Sequence, residues 1–155
     1  MTADTIISDL KDLVSAVEDM ESTVEGFNSP LQVVTLGLFE KTQKVKDAIQ
    51  KGHTDAQQMQ GRFSASDSSA ILDYVEGSLL PEDAKASEML KTKKPLVDAS
   101  LTTLFVRSNL NEFLEDYQVL SADVFEFVDP SQLDRAKQDL GEVQDSIQDA
   151  IDFYA

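Results

Sequence analysis

Apolar residues recur every three or four positions along most of the chain, which is the spacing of one face of an α-helix. The first such run lies between Asp4 and Phe27 and contains Ile6, Ile7, Leu10, Leu13, Val14, Val17, Met20 and Val24. No segment alternates apolar and polar residues as a half-buried strand would. The pattern therefore predicts an all-α protein.

Two further helices are marked by a capping residue followed by proline. Ser29-Pro30 and Asp129-Pro130 each combine an N-cap side chain with a proline suited to the first helical turn. The first pair predicts a helix from Pro30 to at least Ile49. The second predicts a last helix with heptad-like apolar positions at Leu133, Ala136, Leu140, Val143, Ile147, Ile151 and Tyr154.

The middle of the chain is divided by a polar linker and two prolines. Residues 61–69 are rich in Gly and Ser and predict a linker, with a third helix starting near Ser68. We expect Pro81 to kink or interrupt this helix and Pro95 to open a fourth one.

The segment from Pro95 to Val128 holds too many apolar residues for one narrow stripe, which predicts a helix buried on several sides. Together these elements predict a single domain spanning residues 1–155, with Met1 as an added expression start. The expected fold is a bundle of about five helices that encloses an apolar cavity.

Composition narrows the function classes. The 155 residues carry 29 acidic and 13 basic side chains, for a net charge of −16, and contain no cysteine. Such a charge argues against nucleic-acid partners and against adsorption to anionic lipid headgroups. The sequence contains no run of apolar residues long enough to predict a membrane span, and its start is not a signal peptide, so a secreted parent would make it a mature fragment.

Motifs for catalysis and metal binding are missing. The single histidine, His53, follows Gln50 rather than the Glu that a di-iron helix needs three residues earlier. The EF-hand, phosphate-loop, dinucleotide and nucleophile-elbow patterns are absent as well. We therefore expect no enzyme, no metal and no cofactor. His53 is expected in an exposed turn, and the acids, among them Asp9, Glu21 and Asp139, on solvated helix faces.

Hydroxyl side chains inside apolar stripes leave two interpretations open: Thr35, Thr42, Ser78 and Ser108. Each can bond the carbonyl four residues back in its own helix. Alternatively, one or two project into a cavity and hold a carboxylate, with Ser108 as the first candidate and Thr42 as the second. Leu104 and Phe105 are then the expected cavity wall.

Three segments resemble a known family: Thr5 to Leu10, the stretch AILDYVEGSLLP at residues 70–81, and Lys93-Lys94-Pro95-Leu96. Through them the chain resembles, over essentially its whole length, the fungal hydrophobic-surface-binding protein A family of cell-wall galactomannoproteins. The resemblance implies a secreted or wall-associated parent and a helical domain that encloses long-chain fatty acids such as palmitate or arachidonate. In a pathogen it implies capture of host lipid mediators, as a virulence factor.

We therefore expect a lipid-binding domain that sequesters fatty acids, the ligand taking the place of any cofactor. An amphipathic adhesin without an internal ligand is the alternative. Protein partners cannot be named from the sequence. The expected ligand contacts are Leu13, Val17, Met20, Val34, Leu38, Thr42, Ile71, Val75, Leu79, Leu104, Phe105, Ser108, Leu140 and Ile147.

Overall fold

The computed structural model describes residues 2–155 and contains no strand among them, which confirms the all-α prediction. Its α-helices are α1 (Ala3–Glu25), α2 (Pro30–Thr35), α3 (Leu38–Ala56), α4 (Ala65–Tyr74), α5 (Leu80–Ala99), α6 (Thr103–Phe127) and α7 (Leu133–Phe153). A π-helical segment, Val75–Leu79, joins α4 to α5, and a 3₁₀ turn, Pro130–Gln132, precedes α7. Five of these helices are long, in line with the expected bundle.

Side-chain pairs fix the directions of the five long helices. Asp9 bonds Lys51 and Asp19 bonds Lys41, so α1 and α3 are antiparallel. Similar pairs show that α5 runs parallel to α1, α7 parallel to α5, and α6 parallel to α3. The C-terminal ends of α1 and α5 therefore meet the N-terminal ends of α3 and α6 at one end of the bundle.

The expected second helix is two helices. Gly37 has φ +80°, a left-handed conformation that glycine adopts without steric cost. The chain therefore turns between α2 and α3, and the two helices present different faces to the core. Periodicity alone did not show this break, because Leu31, Val34 and Leu38 keep helical spacing across it.

The predicted boundaries around α4 and α5 also need correction. Ser64 caps α4 by accepting a hydrogen bond from the Asp67 amide, so the helix begins inside the expected linker. The chain stays helical through Pro81, after the π-helical segment. Pro95 does not open a helix but lies inside α5. A proline there removes one backbone hydrogen bond without ending the helix.

The turn between α5 and α6 closes α5 with a Schellman arrangement. The Thr102 amide donates to the Val97 carbonyl at 3.3 Å and the Leu101 amide to the Asp98 carbonyl at 3.1 Å. Leu101 occupies the position that glycine usually takes, with φ 63°, and its side chain is 92% exposed. The end of α5 is therefore not marked by a glycine.

Replacing this strained leucine should stabilise the fold. A side chain in the left-handed region costs about 1–2 kcal/mol. Glycine removes that cost, but it loses more conformational entropy on folding than leucine does, which offsets part of the gain. We expect Leu101→Gly to raise the free energy of unfolding by about 1 kcal/mol. Urea denaturation measures it, and a loss of stability in Leu101→Gly would show that the turn is not strained.

The segment from Pro95 to Val128 is not buried on several sides. Its surplus apolar residues lie on the surface instead, with Leu101, Leu104 and Val119 all exposed. The core is formed by one stripe from each long helix together with α4. Within the described residues, no helix has both the length and the apolar character needed to cross a bilayer.

Candidate functional site

A cavity lies inside the bundle, toward the end where α4 packs. Its volume is about 40 Å³. Its walls come from α1, α3, α4, the π-helical segment, α6 and α7, and from the residues that precede α4 and follow α6. The lining residues are Ile6, Asp9, Leu10, Leu13, Ala48, Gly52, Ala56, Phe63, Ile71, Val75, Leu79, Tyr117, Leu120, Ser121, Val124, Phe127, Val128 and Leu140. A water needs about 10–15 Å³ of such volume, so the cavity has room for about three waters.

A smaller pocket of about 10 Å³ lies toward the opposite end, where α3 and α6 begin. It is lined by Met20, Leu38, Thr42, Leu90, Phe105, Val106, Asn109, Leu110 and Phe113. Two buried valines occupy helix positions between the two sets of lining residues: Val17 on α1 and Val45 on α3. The two spaces therefore follow each other along the bundle.

Eleven of the fourteen predicted contacts lie in the interior. Five of them line the larger cavity: Leu13, Ile71, Val75, Leu79 and Leu140. Four line the smaller pocket: Met20, Leu38, Thr42 and Phe105. Val17 and Ile147 are buried but line neither space. Whether these residues contact a ligand stays a prediction.

Three predicted contacts lie on the surface instead. Val34 is 62% exposed, Leu104 is 79% exposed, and Ser108 is exposed as well. Val34 points outward because α2 is a separate helix, and the Ser108 hydroxyl lies 3.5 Å from Glu112 on the outer face of α6. The expectation that Leu104 forms a cavity wall and that Ser108 anchors a carboxylate is corrected by this placement.

The hydroxyls of Thr35 and Thr42 donate hydrogen bonds to backbone carbonyls of their own helices. Thr42 is buried but donates to the Phe39 carbonyl at 2.8 Å, and exposed Thr35 donates to the Leu31 carbonyl at 3.0 Å. Both threonines therefore bond a carbonyl of their own helix, Thr35 the one four residues back as expected and Thr42 the one three residues back. Thr42 keeps its place in the smaller pocket, with its proton already engaged.

Tyr117 is a polar residue of the larger cavity that the sequence analysis did not single out. Its side chain is 2% exposed, and its hydroxyl has no hydrogen-bond partner among residues 2–155. Burial, and after it the charge of Asp83, raises the pKa of Tyr117 well above the ordinary value, so the hydroxyl keeps its proton. Tyr117 lies four residues after Phe113 and three before Leu120, so the sequence indicated only that it belongs to an apolar helix face.

Several acids expected on solvated faces are buried. Asp9, Glu21 and Asp139 are each at most 5% exposed. Each pairs with a cation, Asp9 with Lys51 across the α1–α3 contact and Glu21 with Lys85 at 3.1 Å across the α1–α5 contact. These acids are therefore not on solvated faces. Each buried carboxylate and the cation that pairs with it place charged groups at the edge of the core.

His53 is not in a turn. It lies in α3, its side chain is 23% exposed, and its Nδ1 is 2.6 Å from the Asp123 carboxylate on α6. This pair joins the two parallel helices rather than lining either interior space. In the described part of the chain, no group of three or more potential metal-ligating side chains comes together.

One end of the bundle carries an exposed apolar surface, which we call the end patch. It comprises Leu31, Val34, Leu36, Phe39, Leu101 and Leu104. Phe39 contacts Phe105 with ring centroids 6.0 Å apart, which connects the patch to the wall of the smaller pocket. Exposed apolar surfaces of this kind mark contact sites for lipid, protein or other apolar material.

Comparison with known proteins places the fold. The model of the family described as hydrophobic surface binding protein A matches residues 3–126. The crystal structure of Afmp4p in complex with palmitic acid is similar at a TM-score of 0.90, with 22% identity over 99% of both chains.

Ligand-binding domain 1 of the Penicillium marneffei MP1 protein, complexed with arachidonic acids, has a TM-score of 0.87 and 17% identity over 96% of this chain and 95% of its own. Domain 2 of the same protein, complexed with multiple arachidonic acids, has a TM-score of 0.86 and 21% identity over 98% and 93%. No curated protein sequence matches the chain. At these identities the structural likeness establishes the fold.

Proposed function

Because the chain belongs to the hydrophobic surface binding protein A family, we propose that it binds long-chain fatty acids inside its helical bundle. The observation that carries the proposal is the pair of apolar spaces that follow each other along the interior. The similar domains bound to palmitic and arachidonic acids support it. Capture of host lipid mediators by a secreted or wall-associated parent is the wider role we propose.

The energetics permit tight binding. Moving roughly 14 methylenes from water into an apolar interior gains about 11 kcal/mol, at about 0.8 kcal/mol each. Association and ordering offset part of this gain, which leaves affinities in the micromolar to nanomolar range. Since the protein is strongly acidic, the apolar chain rather than charge attraction supplies the affinity.

Binding requires the interior to enlarge, because room for about three waters is far less than a palmitate chain needs. Val17 and Val45, which occupy helix positions between the two spaces on α1 and α3, are aliphatic. Moving these two side chains breaks no side-chain hydrogen bond and costs packing contacts alone. The ligand then takes over the contacts that these side chains lose.

Titration calorimetry of the delipidated protein with palmitic acid tests the proposal. We expect saturable binding with a negative heat-capacity change, the mark of apolar burial, and a rise in melting temperature with ligand concentration. Methyl palmitate and arachidonic acid extend the series. Absence of saturable binding for every one of these lipids would reject the proposal.

The end patch favours a second candidate function, adsorption to hydrophobic surfaces without an internal ligand. Leu31→Ser together with Leu104→Ser removes two of its exposed side chains and leaves both interior spaces unchanged. If adsorption is the function, this double variant should lose binding to alkyl-coated beads. Under the fatty-acid proposal it should retain its palmitate affinity within about threefold, since neither residue lines the interior.

A further inference from the structure

Asp83 differs from the other buried carboxylates. Asp9, Glu21 and Asp139 each have a lysine or arginine partner, the last at 3.7 Å from Arg135. Asp83 is 6% exposed and pairs with no cation of the described residues, 2–155. Its only polar neighbour that favours the charged form is the Ser146 hydroxyl, and its Oδ2 has no hydrogen-bond partner in that same part of the chain. The structure therefore buries an uncompensated acid.

Asp83 lies beside the larger cavity. It follows Leu79, which lines the cavity, by one helical turn and so shares its face of the helix. Across the interior, Tyr117 lines the same cavity and lies near enough for the charge of Asp83 to raise its pKa. Tyr117 therefore lies in the cavity wall and Asp83 lies one helical turn beyond the wall residue Leu79, and each of the two has a buried polar atom without a partner in the described residues.

Such a pair costs folding free energy unless something binds it, since buried polar groups are almost always hydrogen-bonded. The two groups offer complementary chemistry. The Tyr117 hydroxyl keeps its proton and can donate a hydrogen bond to a ligand oxygen, whereas the Asp83 carboxylate can accept a hydrogen bond from a ligand donor. A head group that fits both must accept one hydrogen bond and donate another.

We propose that Tyr117 and Asp83 form the head-group subsite of the lipid cavity, and that this subsite takes a neutral O–H head group, as in a long-chain alcohol or a protonated fatty acid. The inference rests on the proposed lipid-binding function and specifies its ligand class. An ionised carboxylate is disfavoured there, because it meets the charge of Asp83 with no cation to offset it. A fatty acid enters the subsite when one proton is shared between its carboxyl group and Asp83.

Three probes of equal chain length test the subsite: dodecanol, its methyl ether and dodecanoate at about pH 8. The native protein should prefer the alcohol to the ether by about tenfold, because the ether has no proton to donate to Asp83. Tyr117→Phe should lower the affinities for the alcohol and for the ether about tenfold each, because both ligands accept a hydrogen bond from the Tyr117 hydroxyl. Asp83→Asn should narrow the preference for the alcohol and strengthen dodecanoate binding by about tenfold or more, since a carboxamide can donate to a carboxylate.

Asp139→Asn is the matched control. It removes the same unit of charge from another buried carboxylate, one that pairs with Arg135 and does not act on Tyr117, so the affinities for all three probes should stay unchanged. Circular dichroism confirms that each variant is folded. Normal lipid binding with no effect of Asp83→Asn on dodecanoate, or of Tyr117→Phe on the alcohol, would overturn the subsite alone. Absence of binding of any probe to the native protein would instead reject the lipid-binding function.

Discussion

Gly52→Leu should abolish most fatty-acid binding while the bundle stays folded. Gly52 lines the larger cavity from α3, and a Cβ added there would meet the Leu120 Cδ1 at 3.5 Å, an ordinary contact. The leucine side chain would occupy space for roughly four ligand carbons, worth about 3 kcal/mol or about a hundredfold in affinity. Replacing a mid-helix glycine also adds about 0.5–1 kcal/mol of helix propensity, which offsets part of any strain.

Gly141→Leu is the control for this variant. Gly141 also lies within a long helix, α7, but a Cβ there meets no atom within 4 Å. It should gain the same helix propensity and keep its palmitate affinity. Calorimetric titration and thermal melts of both variants decide the matter. Equal affinities for the two would mean that the ligand lies elsewhere than in the cavity beside Gly52.

Asp83→Asn should stabilise the protein increasingly as the pH rises. Burial, opposed by the Ser146 hydroxyl, raises the pKa of Asp83 from 3.8 to about 7. The folded state therefore holds the proton more tightly than the unfolded state, so this group lowers stability as pH rises from about 4 to about 7. About three pKa units at about 1.36 kcal/mol each set a ceiling of about 4 kcal/mol for the gain at pH 8. The buried amide keeps the gain below that ceiling.

Urea denaturation of the native protein and the variant at about pH 5 and about pH 8 measures the difference. Asp98→Asn gives a contrast of opposite sign. Lys94 and Thr103 donate to the Asp98 carboxylate and lower its pKa, so that variant should lose stability above about pH 4. A stability gain in Asp83→Asn that is independent of pH would show that Asp83 is not titrating in the folded protein.

The all-α fold class and the first and last helices, α1 and α7, could be predicted because the sequence patterns that indicate them are local. The apolar stripe of α1 and the heptad-like stripe of α7 each select one face, and the residues predicted on them are buried except for Ile7 and Leu133, which are partly buried. The boundary between α5 and α6 could not be predicted. Leu101 closes α5 in the conformation expected of glycine, whereas Pro95, the residue that signals a boundary, lies within the helix.

The candidate site could likewise be predicted only in part. Leu104 and Ser108 were misplaced because α6 has apolar residues on several sides, and the sequence does not reveal which side faces the core. Tyr117 and Asp83 were missed for a different reason. Whether a polar side chain is buried, and whether it finds a partner, depends on which helices pack against it, and no spacing along the chain encodes that contact.

The π-helical segment between α4 and α5 determines which face of α5 points into the bundle. The Leu80 amide bonds the Val75 carbonyl, five residues back, so this turn holds more residues than an α-helical turn does. Removing one residue here would restore the tighter turn and rotate α5 by about 100° relative to α4. Asp83 would then leave the interior face. The length of this segment is therefore as much a determinant of the larger cavity as the identity of any side chain in its wall.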